Sequence, residues 1–410
     1  MPLSNQKNGS DEEFDKSESP KSRSQERSPL PRFSPARRRF LKTSAAAASG
    51  LALANCARNL SNANSGSSPT AAGSPASSPS PAGGNGASEL YIYTWAGYTD
   101  DALIEGFREK TGIQVVVDLY DSNEAMMAKM QAGGGSAYSI IYPSDYTVIE
   151  MVKSGMLTSL DKSRLEGLDT LKPKWQNPVY DRGNAHSVPT VWGTTGLIYD
   201  PQKVGKSIDG WNFIWDNRKN LTRKVTLIND VREVLGATLR TLGYSYNTTN
   251  PDQIKKAFNK LVQIKPAIAS FLTTGWEDQL ASGDITVSMA YSQDAIALID
   301  EKPNLKYVIP QTGSSVWTDT MVIPKSAPNP EAAYAWINYL LQPEIAAEMV
   351  KQFGIATPSQ AAFDLLPPEI QKDVRRFPTE ATLSKCEGIA PVPEKITEVY
   401  DQYWTRLTSS

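Results

Sequence analysis

Histidine and cysteine are nearly missing from this chain. His186 is the only histidine among 410 residues, and Cys56 and Cys386 are the only cysteines. One histidine largely removes His-based triads and His metal sites from consideration. If Cys56 is lipidated, no disulfide exists, and Cys386 reads as a lone, structurally inert thiol. No phosphate-binding glycine loop, no G-x-S-x-G elbow and no metal-ligand cluster occurs. Long apolar runs are also absent. The Ala-rich stretch from Ala45 to Ala54 is too short and too weakly apolar for a stable membrane span. Basic charge is not in excess either. The formal net charge is −2, and without residues 1–55 the chain holds 32 basic against 38 acidic residues, a poor composition for binding nucleic acid.

The first 88 residues have no core-forming pattern. Residues 1–36 are rich in Ser, Pro, Lys, Arg and Glu and are expected to be disordered. Arg37-Arg38-Arg39-Phe40-Leu41-Lys42 then reads as a twin-arginine export signal, which carries folded cargo out of the cytoplasm. Leu53-Ala54-Asn55-Cys56 reads as a lipoprotein box with Cys56 lipidated, although Ala52-Leu53-Ala54 also fits ordinary cleavage. Residues 57–88 are almost wholly Ser, Ala, Pro, Gly and Asn, a flexible tether that favours the lipidated form.

From residue 89 onward, strand and helix signals alternate, which implies an α/β fold. Expected strands are Glu89–Trp95, Ile113–Tyr120, Tyr138–Tyr142, Val225–Ile228, Ile285–Tyr291, Lys306–Ile309 and Trp317–Ile323. Expected helices include Asp100–Lys110 with Thr99 as its cap, Asn123–Gln131 capped by Ser122, Val231–Leu242 and Glu394–Leu407. The Met-rich face of Asn123–Gln131 is expected to pack in a core. Roughly 320 residues exceed one core, so two lobes are expected. Polar, Gly-containing passages near Gly193–Gly196 and Thr312–Ser315 are candidate boundaries.

Aromatic and acidic residues gather where strands hand over to helices. They are Trp95 and Tyr98, then Ser144, Asp145 and Tyr146, then Asp230 and Glu233; Trp317 and Asp319 begin a strand instead. Carboxyl ends of strands form the ligand crevice of open α/β sheets. Rings and carboxylates together suit an organic cation, whose methylenes pack on the rings while the acids take its ammonium groups. Each residue also has a plainer reading. Trp95 and Tyr98 fit a core, and Asp230 with Glu233 fits a helix capping box. Asp319 is harder to explain blandly, because an acid buried unpaired in a strand is costly. Trp192, Trp211, Trp215, Trp276, Trp336 and Trp404 are taken as packing residues.

"LYIYTWAGYTDDALIEGFREKTGIQVVVDLYDSNEAMMAKM", "YPSDYTVIEMVKSGML", "VPTVWGTTGLIYD", "NDVREVLGATLRTLGYSYNTTNP" and "WTDTMVIPKSAPNPEAAYAWINYLL" follow one another in order. Together they resemble the bacterial periplasmic spermidine/putrescine-binding proteins, from about residue 89 to the C-terminus. The resemblance implies an α/β, two-lobed periplasmic-binding-protein type II fold with a hinge and an interlobe cleft. It implies residues 89–193 with 316–357 as lobe 1, and 194–315 with 358–410 as lobe 2. It also implies capture of a polyamine, delivery to an ABC transporter permease, no enzymatic activity, no cofactor and no metal. A periplasmic monomer is expected, with membrane contact only through Cys56.

Site residues carry over from the resemblance one at a time. Trp95 would pack on polyamine methylenes, and Tyr98 and Tyr146 would form walls with Ser144 as a polar contact. Asp230 and Glu233 would bind an amino end. Tyr291 stands where spermidine-binding members place a Trp. Trp317 and Asp319 match a Trp-x-Asp pair that packs on the chain and holds an ammonium. Gly97 and Ile355 replace a Glu and an aromatic found in relatives, and Asp145 adds a charge where a Thr is common. The alternatives are another small cationic or polar solute, or a hydrolase using Asp230 and Glu233 or Asp319 as an acid pair.

Overall fold

The computed structural model describes residues 89–409, and these fall within one compact unit. The export signal, Cys56 and the Ser/Pro/Gly/Ala segment lie outside the described residues.

Nine strands form the framework: β1 (Glu89–Thr94), β2 (Gln114–Leu119), β3 (Ile140–Ile141), β4 (Ser187–Tyr199), β5 (Val225–Leu227), β6 (Ile268–Phe271), β7 (Val287–Tyr291), β8 (Lys306–Val308) and β9 (Val316–Val322). Their spatial order is β2-β1-β3-β9-β4-β7-β5-β6, with β8 also on β4. Strands β1, β2 and β3 are parallel to one another, as are β5, β6 and β7. Helices supply the crossovers that parallel neighbours require.

The 13-residue β4 joins the two halves. Residues up to Thr194 pair antiparallel with β9. From Thr195 onward the partner is β7. The sequence reads Gly193–Gly196 as a polar passage between lobes. The chain does change partners there, but inside a continuous strand. Its glycines answer close approach rather than a turn. A Cβ on Gly193 would stand 2.4 Å from the Trp317 ring, and one on Gly196 would stand 2.4 Å from the Val308 carbonyl oxygen.

Two further passages run beside this one. Thr195 N–H donates to the Ser315 carbonyl at 3.3 Å, Val316 N–H to the Glu387 carbonyl at 2.9 Å, and Glu387 N–H to the Ser314 carbonyl at 2.9 Å. Three neighbouring strands of chain therefore connect the halves.

Each half has its own buried side chains. Leu90, Ile92, Phe107, Ile140, Val191, Met321 and Trp336 anchor the first, extended by Tyr93, Met126, Met130 and Met151. The methionine stripe is thus core. Leu197, Trp211, Val225, Leu235, Ile254, Val287 and Tyr400 anchor the second, extended by Trp276 and Ile299. Ala362 and Leu366 pack into the first core. The expected division at residue 357 assigns them to the second lobe. Their apolar contacts instead carry the chain past 358 with the first.

Local chemistry sets the helix starts. Asp100, rather than Thr99, caps the Asp101–Thr111 helix, accepting from Leu103 N–H at 2.8 Å. Ser122 caps Asn123–Gln131 as expected. Trp192, Trp211, Trp215, Trp276 and Trp336 are buried, and Trp404 packs edge-on to Phe271.

Candidate functional site

Asp319 sits in β9, opposite Val191 of β4, and is 4% exposed. Pro143 fixes what faces it. The Pro143 carbonyl accepts both the N–H and the hydroxyl of Thr320, each at 3.0 Å. That fastens the start of the Asp145–Lys153 helix against β9. Ser144 then donates its hydroxyl to Asp319 Oδ1 at 2.6 Å, and Tyr98 donates to Oδ2. No Lys or Arg forms an ion pair with Asp319 among the described residues. Burial pushes its pKa up to about 6, against the lowering effect of the two hydroxyls. A carboxylate held by neutral donors alone in a buried site is an incomplete ion pair.

Asn123 orients the neighbouring groups. Its Nδ2 donates to Ser144 Oγ and to the Tyr146 hydroxyl, both at 3.0 Å, and its Oδ1 accepts Ser144 N–H at 3.2 Å. Ser144 Oγ, already accepting from Asn123, is left to donate to Asp319. Asp145 accepts Tyr146 N–H at 2.8 Å. Burial, then the charge of Asp319, lifts its pKa to about 8. Trp95 is half-buried; its indole donates to the Tyr142 carbonyl at 2.8 Å and its ring meets Tyr120 at 4.4 Å.

The second half contributes another acidic group. Asp230 caps the Val231–Thr241 helix, accepting Arg232 and Glu233 N–H at 2.8 and 3.0 Å. The capping reading of Asp230 holds, and burial raises its pKa. Glu233 is 2% exposed. It does not reach back to the cap. Instead its Oε1 accepts the hydroxyls of Thr195 at 3.0 Å and Ser315 at 2.9 Å, and its Oε2 accepts Ser315 at 2.8 Å. Both hydroxyls belong to the passages between the halves, so Glu233 braces the connection. Burial first, and the Asp230 charge second, raise its pKa.

Aromatic rings link the two acidic groups. Tyr291 ends β7 and stands edge-on to Trp317 at 5.7 Å. It touches both cores. After burial, the charges of Asp230, Glu233 and Asp319 all raise its pKa. Tyr146 starts in the first half yet packs against the second core. Burial, then Glu124 and Asp230, raise its pKa. The sequence-derived residues therefore converge from separate elements on one region. A cavity of about 430 Å³ lined by Asp300, Leu305, Lys306, Tyr307 and Arg375 shares none of them.

Residues 102–379 match the family described as bacterial extracellular solute-binding protein. The chain belongs to that family. It is 34% identical over 319 residues to a spermidine/putrescine-binding periplasmic protein of Salmonella typhimurium, covering 78% of this chain and 91% of that one. A putative spermidine/putrescine ABC transporter structure from Listeria monocytogenes superposes with a TM-score of 0.73 at 37% identity, over 78% of this chain and 98% of that one. A lipoprotein of Treponema pallidum superposes with a TM-score of 0.69 at 29% identity, over 78% of this chain and all of that one (100%). The fold is the two-lobed one of these periplasmic binding proteins.

A solute-binding protein holds its ligand without transforming it, so the hydrolase alternative falls. Glu233, half of the suggested acid pair, already accepts the hydroxyls of Thr195 and Ser315. Among the described residues no group of His, Cys, Asp and Glu is arranged to hold a metal ion. No described helix is long and apolar enough to cross a membrane.

Several residues of this solute-binding protein escape the sequence reading. Asn123 is the orienting amide. Glu124 is open to solvent, yet desolvation and then the Asp230 charge raise its pKa. Asp294 lies close enough to Tyr98 for its charge to raise that phenol. A signal for Asp294 was present. It follows Tyr291 by three residues at a strand-to-helix junction, the same pattern that singles out Asp230 and Tyr146.

Proposed function

We propose that this protein captures a polyamine, putrescine or spermidine, between its lobes and delivers it to an ABC importer through a transporter permease. The observation that carries this reading is Asp319: a buried carboxylate whose partners, Tyr98 and Ser144, are neutral hydroxyls. An ammonium group completes its charge. Each charged hydrogen bond contributes about 1.5–3 kcal/mol, and each ring–cation contact roughly 0.5–2 kcal/mol. Several together in a closing cleft reach micromolar affinity, about −8 kcal/mol, after the costs of binding.

In this reading Trp95, Tyr98, Tyr146, Tyr291 and Trp317 line the methylenes. Ser144, Asp145 and Asp319 serve one end and Asp230 the other, with Glu233 behind it. Lobe 1 comprises 89–193 with 316 to about 384, and lobe 2 the remainder to 409. That boundary is supported by the packing of Ala362, Leu366, Phe377 and Leu383 with the first core. The names of the relatives support the polyamine. The lipoprotein from Treponema supports an anchor at Cys56, with the protein on the periplasmic face as a monomer.

Calorimetry of the purified protein with putrescine, spermidine, spermine and a monoamine tests the reading. Binding of at least one polyamine at micromolar Kd or tighter, with the monoamine much weaker, is expected. Absence of heat with all the polyamines would end it.

A further inference from the structure

Gln293 is 7% exposed and is the second residue of the Ser292–Glu301 helix, just past Tyr291. Its Nε2 donates to Asp294 Oδ1 at 3.4 Å. Its Oε1 is buried and has no hydrogen-bond partner. Turning the amide over does not rescue it, because the oxygen would then face the Asp294 carboxylate. Buried side-chain acceptors are nearly always satisfied, and an exception calls for an explanation.

The surroundings supply one. On one side is Asp294, whose charge acts on Tyr98, the hydroxyl donor of Asp319. On the other is Gly354 of the first half: a Cβ there would stand 2.7 Å from the Gln293 carbonyl oxygen. Ile355, next in the chain, offers no polar side-chain atom. The Gln293 backbone thus lies where the second lobe's helix start meets the first lobe, two residues past Tyr291 of the Tyr291–Trp317 ring pair.

We propose that Gln293 contacts the ligand and sets its specificity: Oε1 accepts an N–H from the ammonium group held by Asp319 and Asp294. This rests on the polyamine reading above. A primary ammonium carries three N–H donors. Two carboxylates and one amide oxygen match them. An N-alkylated amine has fewer donors and leaves Oε1 orphaned, so the site selects primary amine ends.

The test is calorimetry of wild type and Gln293→Met with putrescine and with N,N,N′,N′-tetramethylputrescine, alongside thermal unfolding without ligand. Methionine keeps the volume and removes the acceptor. Gln293→Met should weaken putrescine at least about tenfold, the size of one hydrogen bond to a charged group, and tetramethylputrescine less than about twofold. Its unliganded melting temperature should not fall, since an orphan acceptor has been removed. Unchanged putrescine affinity in Gln293→Met overturns the assignment alone. An equal loss with both diamines does too, since it would pair the amide with the buried, partnerless Trp317 Nε1 instead of the ligand. A wild type that binds neither diamine overturns the polyamine reading and this assignment with it.

Discussion

Ser144 and Asp319, 175 residues apart in the chain, meet at 2.6 Å with the hydroxyl donating to Oδ1. One residue opens a helix of the first lobe and the other lies within β9. Their contact holds a buried carboxylate in one orientation without neutralising it.

That carboxylate makes binding pH-dependent. Asp319 is raised to about 6 and Asp145 to about 8, both chiefly by burial. Each is protonated in the unliganded protein over a range where the unfolded chain, near 4, is ionised. The folded state therefore binds more protons, and unliganded stability falls as pH rises from about 4 through about 8. An ammonium ligand favours the ionised forms. Polyamine affinity should climb from pH 5 to pH 8, and binding near pH 6 should release protons. Titrations in buffers of different ionisation enthalpy measure that release. Affinity independent of pH would contradict the role of these acids.

Glu233 is expected to matter for stability. Glu233→Ala strands the Ser315 and Thr195 hydroxyls at the connection and should cost about 1–3 kcal/mol. Glu233→Gln retains an acceptor and should cost less. Denaturant midpoints of the three proteins decide this.

Gly193 allows β4 to pass beneath Trp317. Gly193→Val places a side chain 2.4 Å from that ring. Overpacking of this kind costs about 1–3 kcal/mol. A lower melting temperature and weaker polyamine binding should appear together, because Trp317 is both core and wall.

After burial, the charge of Asp230 raises the pKa of Glu124. If both acids share an ammonium, Glu124→Gln should weaken spermidine more than putrescine, by roughly three- to tenfold, the effect of one partly exposed charge contact. Equal effects on the two ligands would place Glu124 outside the site.

Much of this was legible in the chain. Strands of the first half show because β-branched runs precede capped helices, as at Ser122. The long β4 did not. Its Gly193, Thr194, Thr195 and Gly196 look like a loop, and only the approach of Trp317, Val308 and Tyr307 explains them. Strand β6, Ile268–Phe271, was also missed; four residues carry too little periodicity. Residues with a chemical signature, such as Asp319 amid Trp317 and Met321, stood out. Gln293 and Asn123 did not, because an amide is ordinary in sequence and gains meaning only from its neighbours.

The most direct test is titration of wild type and Asp319→Ala with putrescine and spermidine at pH 8, with thermal unfolding to confirm that the variant folds. The loss of a charged hydrogen bond should weaken binding by roughly 10- to 150-fold. A folded Asp319→Ala protein that binds both polyamines as tightly as wild type would contradict the account.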